Sequence, residues 1–87
     1  MRYASGQEVL PGDVVKIDVQ YRGTVVGCIA EALYLPPHSA EQWGYLKTGA
    51  MVDTDFGGLV HYPDEDDLAD DTIELVSRAT SIQSERN

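Results

Sequence analysis

Apolar residues in this chain fall into short runs punctuated by glycine and proline, a rhythm of strands rather than long helices. Pro11-Gly12-Asp13 signals a turn, because proline presets φ and glycine accepts a positive value. Val14-Val15-Lys16-Ile17-Asp18-Val19 follows with β-branched residues in partial alternation, and predicts a strand over residues 13–19. Tyr21-Arg22-Gly23 marks a second tight turn. The next apolar stretch, residues 24–35, is long enough to require a curved or bulged strand, with Gly27 at the bend. Pro36-Pro37 stops it.

His38 to Trp43 predicts one helical turn, with Ser39 as N-cap and Gln42 three residues later closing a capping box. Lys47-Thr48-Gly49 turns the chain into strands over residues 50–55 and 59–62, joined by a Gly57-Gly58 hairpin turn. An acidic stretch then forms a loop or short helix, and residues 72–76 make the last strand. A flat antiparallel sheet of five or six such strands would leave one face wet and two edges open. Curling it limits the open edges. The fold expected is all-β with a short helical insertion, a small SH3-like antiparallel barrel over residues 1–80. Residues 81–87 are polar and expected to fray.

Composition narrows the function. The 87 residues carry 15 acidic and 6 basic side chains, a formal net charge of −9. That sign repels nucleic acid and anionic membranes and attracts basic protein surfaces. A hydrophobic content of 43% is too high for a disordered acidic tail. The first residues lack the apolar core of a signal peptide, and no apolar run approaches the ~18–20 residues of a membrane helix. A cytoplasmic protein is expected. The one cysteine, Cys28, sits in the apolar run Val25-Val26-Gly27-Cys28-Ile29-Ala30 and reads as a small buried hydrophobe.

Catalytic chemistry finds little footing. Asp53-x-Asp55 with Gly57-Gly58 has the start of a calcium loop, but Phe56 takes the next slot and the distal glutamate is missing. His38 and His61 have no second histidine at ligand spacing, and one cysteine does not complete a zinc set. Neither a phosphate-cradling glycine loop nor a nucleophile elbow is present. The expectation is a protein without enzymatic activity, metal or cofactor.

Binding chemistry is denser. Six of the eight residues from Asp64 to Asp71 are carboxylates: Asp64, Glu65, Asp66, Asp67, Asp70 and Asp71. In a strand Asp53 and Asp55 project to one face. Carboxylates packed this closely favour a cationic partner, which they would steer and select. As loop residues they are expected to be replaceable without loss of fold. Tyr3, Tyr21, Tyr34, Tyr45, Tyr62, Phe56 and Trp43 are the aromatic candidates. Trp43 caps one end of the barrel or, with Tyr45, anchors an interface, since Trp and Tyr are enriched at binding hot spots. The candidate partner-binding residues are therefore Trp43, Tyr45, Asp53, Asp55, Tyr62, Asp64, Glu65, Asp66, Asp67 and Asp70.

Several segments together resemble the small immunity proteins encoded beside polymorphic toxins, particularly in Rhs-type systems of Gram-negative bacteria. They are Tyr3-Ala4-Ser5-Gly6-Gln7-Glu8-Val9, Pro11-Gly12-Asp13-Val14-Val15 and Glu41-Gln42-Trp43-Gly44-Tyr45-Leu46-Lys47-Thr48-Gly49, then Asp53-Thr54-Asp55-Phe56-Gly57-Gly58-Leu59-Val60-His61-Tyr62 and Glu74-Leu75-Val76-Ser77-Arg78. The resemblance implies a tight complex with one cognate toxin domain whose active site or substrate path is blocked, and no catalytic residues. It leaves the toxin's activity open. A general peptide- or protein-binding adaptor on the same barrel is the alternative.

Overall fold

The computed structural model describes residues 1–36 and 38–78, so the expected tail over residues 81–87 lies outside the described residues. Six strands form one antiparallel sheet: β1 (Val14–Ile17), β2 (Tyr21–Cys28), β3 (Leu33–Tyr34), β4 (Ala50–Thr54), β5 (Gly58–Tyr62) and β6 (Glu74–Ser77). Two short helices interrupt it, α1 (Ala40–Trp43), continued by a 3-10 turn (Gly44–Leu46), and α2 (Glu65–Asp70). The spatial order is β5-β4-β2-β1-β6, and β3 pairs with the second half of β2. Hence β2 is the hinge of the sheet: Tyr21–Thr24 faces β1, while Gly27 and Cys28 face β3.

Alternation sorts the side chains as expected for a sheet with one covered face. Val15, Ile17, Val25, Ala50, Val52 and Tyr62 point into the main core with Cys28, and Tyr3, Val9, Leu68 and Ile73 close over them. Met51, between Ala50 and Val52, points the other way. There it meets Val26, Ile29 and Trp43 in a second, smaller cluster, which Tyr34, Leu35 and Leu46 border. The α1 insertion thus covers one end of the outer face.

The two ends of the strand order, β5 and β6, are not joined by a ladder among the described residues. Instead α2 leaves β5 at Tyr62 and returns the chain at Glu74, which pairs with Lys16 of β1. The helix therefore crosses the open side of the sheet and drops Leu68, 2% exposed, into the core.

Three local expectations are corrected. Tyr21-Arg22-Gly23 is strand, not turn. The turn is Asp18-Val19-Gln20, with φ of +51° at Asp18 and +69° at Val19. Gly23 is needed for closeness rather than for turning: a Cβ there would stand 2.8 Å from Val52 Cγ1 on the neighbouring strand. The long stretch over residues 24–35 breaks after Cys28, because Ala32 adopts φ +57° and folds the chain back as β3. Its irregularity does fall at the expected place, a register shift between Val25 and Gly27. Finally, Ser39 precedes α1, but its side chain makes no cap, and only its carbonyl accepts the Gln42 and Trp43 N–H groups.

Candidate functional site

The acidic run builds α2 before it does anything else. Asp64 takes an extended conformation at the N-cap, and its Oδ1 accepts the N–H groups of Asp66 (2.9 Å) and Asp67 (3.2 Å). Asp67 reaches back to accept the Asp64 N–H at 3.2 Å, which completes a capping box. Glu65, Asp66 and Asp67 fill the first turn, where carboxylates are favoured by the unpaired N–H groups of a helix start. Asp71, just past the last turn, accepts the Tyr62 hydroxyl at 2.8 Å. Glu65 accepts the Arg2 N–H at 2.7 Å. Among the described residues, the side chains of Asp66 and Asp70 have no such bond. The acidic run is thus the short helix of its two expected forms, and Asp64, Glu65, Asp67 and Asp71 each hold a bond within the fold.

The start of α2 borders a cleft of ≈ 510 Å³ lined by Ala30, Glu31, Thr48, Gly49, Pro63 and the carboxylates Asp64 to Asp66. Gly49 sets its width. The residue has φ +103°, and a Cβ would lie 2.3 Å from the Tyr62 carbonyl oxygen. That close approach lets Thr48 Oγ1 donate to the Pro63 carbonyl (3.2 Å) and puts His61 Nε2 2.9 Å from the Thr48 carbonyl. His61 is thus a rim residue tied to the turn beside it. Among the described residues, no three His, Cys, Asp or Glu side chains are grouped to hold a metal ion.

Asp53 and Asp55 are exposed but belong elsewhere. Asp53 lies on β4 opposite Leu59 and Thr24, and Asp55 starts the β4–β5 turn, where its N–H donates to the Arg22 carbonyl. They border a shallow groove of ≈ 300 Å³ with Val14, Arg22 and Thr24. The length of β5, about 13 Å at ~3.3 Å per residue, separates this end of the hairpin from the start of α2. The sequence-predicted carboxylates therefore form two surfaces rather than one. Asp70, at the far end of α2, sits closer to the β1–β2 turn, where the Asp18 N–H donates to the Asp71 carbonyl at 2.9 Å.

The aromatic candidates separate by burial. Tyr45 is 75% exposed and free to meet a partner. Trp43 is 8% exposed, stacked on the His38 ring at 4.6 Å, and holds the second cluster together. Tyr62 is 3% exposed. Burial, then the hydrogen bond to Asp71, holds its hydroxyl proton well beyond the ordinary tyrosine range. Trp43 and Tyr62 are core residues: burial fits the expected role of Trp43 as a cap on one end of the sheet and corrects the expected place of both on a contact surface.

Two features escaped the sequence reading. The first is a buried polar knot around Asp13, which is fully buried. Its Oδ2 accepts Tyr3 Oη (2.7 Å) and the Leu10 N–H (3.0 Å), while Arg78 Nε donates to Oδ1 at 3.2 Å. The Gly12-Asp13 turn hinted at the aspartate, but nothing local marked Arg78, 65 residues away, as its partner. The second is Val19, 72% exposed at the β1–β2 tip, two residues before Tyr21, whose ring pairs with that of Phe56 at 4.8 Å between centroids. Compared with models of known protein families, with curated proteins and with solved structures, the chain matches none.

Proposed function

We propose that this chain is a cytoplasmic, non-enzymatic immunity protein on an SH3-like barrel that binds a cognate toxin domain and blocks it sterically and electrostatically. The strand order supports the barrel: four strands meander as β1-β2-β4-β5, and β6 returns to pair with β1, with α2 spanning the gap. The observation that carries the function is the division of labour in α2. Four carboxylates of the run, Asp64, Glu65, Asp67 and Asp71, hold the helix and its neighbours in place, and Asp66 and Asp70 are thereby presented on a fixed backbone. Carboxylates with a fixed position lose less freedom on meeting Lys or Arg than loop carboxylates would, and they raise the encounter rate through long-range attraction. A toxin with a cationic substrate path would meet in them an imitation of its substrate's negative charge.

The test is co-expression with the toxin domain encoded beside this chain's gene. A stable complex on co-purification, with growth restored in cells expressing the toxin, is the expected result. Separate elution and unrelieved toxicity would overturn the proposal.

A further inference from the structure

The tip of the β1–β2 hairpin carries a conformational cost that no packing of the Val19 side chain recovers. Ile17 pairs with Tyr21, so the loop has three residues, and the Gln20 N–H donates to the Asp18 carbonyl at 2.7 Å, which puts Val19 at the centre of a γ-turn. Asp18 takes its φ of +51° readily, as aspartate tolerates the left-handed region. Val19 does not: a β-branched residue at φ +69° is an outlier in backbone terms. Strain of this kind persists where surrounding packing over-determines it. Here packing is not the reason, because Val19 is 72% exposed and its methyl groups point into water. A strained, exposed valine is costly twice over, in backbone energy and in apolar surface.

Its neighbours make the exposure a patch. Phe56, at the tip of the β4–β5 hairpin, is 47% exposed and Tyr21 is 37% exposed, and their rings pack together. Carboxylates border the patch: Asp18 within the turn, Asp55 beside Phe56, and Asp70 at the end of α2, which the Asp18–Asp71 backbone bond draws against the tip. An apolar centre ringed by one sign of charge has the anatomy of a binding hot spot with a steering rim.

We infer that Val19, with Tyr21 and Phe56, forms the apolar anchor of the toxin contact and inserts into an apolar pocket rimmed by Lys and Arg on the partner. This rests on the proposed function and names the surface through which it acts. The partner fills the space around Val19, so the cost of the strained turn is recovered only in the complex.

The test compares wild type with Val19→Asn and Phe56→Ala, using the toxin domain encoded beside the gene as the probe. Asparagine tolerates a positive φ better than valine does but removes the methyl groups. Val19→Asn is expected to raise the thermal midpoint of the free protein by about 4–8 °C, the shift that ~1 kcal/mol of relieved strain gives a domain of this size. It is also expected to weaken binding at least ~10-fold, and Phe56→Ala to weaken it similarly. A lowered midpoint for Val19→Asn would show that the valine serves the fold, and unchanged affinity in both variants would show that the tip is not the contact. Either result overturns the inference while leaving the proposed function standing. Failure of wild type to bind overturns both.

Discussion

Asp13 has no exposure, yet it accepts from a tyrosine hydroxyl, a backbone N–H and a guanidinium, so its charge is answered on every side. The knot ties the N-terminal segment, the entry to β1 and the end of β6 into one unit. Its consequence is a pH dependence on the alkaline side. Burial first, then the bond to Asp13, raises the Tyr3 hydroxyl far above its ordinary value of 10.0, and Tyr62 is raised in the same sense by burial and Asp71. Both hold their protons more tightly folded than unfolded. Their stabilisation is therefore complete below pH 10 and is lost as pH climbs toward the raised values. Denaturant titrations from pH 9 to 11.5 should show a decline approaching ~1.4 kcal/mol per pH unit for each tyrosine. Tyr3→Phe should remove its share of that decline and leave the shares of Tyr62 and Cys28, at a cost of about 1–2 kcal/mol at neutral pH because Asp13 loses a donor.

Cys28 makes a second claim at the same scale. The thiol is 2% exposed, donates to the Val9 carbonyl at 3.3 Å, and is pushed up to about 12, mainly by burial. Almost no thiolate exists near neutral pH, so a thiol reagent should label native protein slowly and unfolded protein quickly. Rapid native labelling would place the residue at the surface. Cys28→Ala should cost roughly 1–2 kcal/mol, the lower range of a core truncation.

Among the elements, α2 shows most clearly what the chain encodes in the open and what it conceals. Asp64 and Asp67 are spaced as a capping box, a signal written in the sequence but masked by the carboxylates around them. The box sought at Ser39 and Gln42 fails, because a four-residue helix needs only the Ser39 carbonyl. Apolar alternation located β1, β4 and β5 within a residue or two of where they lie. It could not separate β2 from β3, since Ala32 reverses the chain without a glycine or proline to announce it. Gly23 misled for a related reason: glycine at a close strand contact looks, in sequence, like glycine in a turn. Denaturation of single variants measures the division within α2. Asp64→Ala should cost about 1 kcal/mol, as the loss of a cap does. Asp66→Asn and Asp70→Asn should stay within ~0.5 kcal/mol of wild type, as surface changes do. Equal losses in all three would show that the helix has no internal order of roles.

For the whole molecule, a net charge of −9 on 87 residues opposes compaction and favours a cationic partner. No helix among the described residues is long and apolar enough to cross a membrane. The sequence suggested one acidic surface; the sheet divides it, with Asp53 and Asp55 at one end of the β4–β5 hairpin and the start of α2 at the other. That division depends on strand register, which composition and spacing do not contain. The burial of Trp43 and Tyr62 was equally out of reach, because it depends on which face a distant segment covers. Binding kinetics test the central claim most directly: the Asp66→Asn/Asp70→Asn double variant and wild type, each against the cognate toxin domain at two salt concentrations. Steering by these two carboxylates predicts a slower on-rate and a shallower salt dependence for the variant, with stability and off-rate little changed. An on-rate and salt slope equal to those of wild type would contradict it.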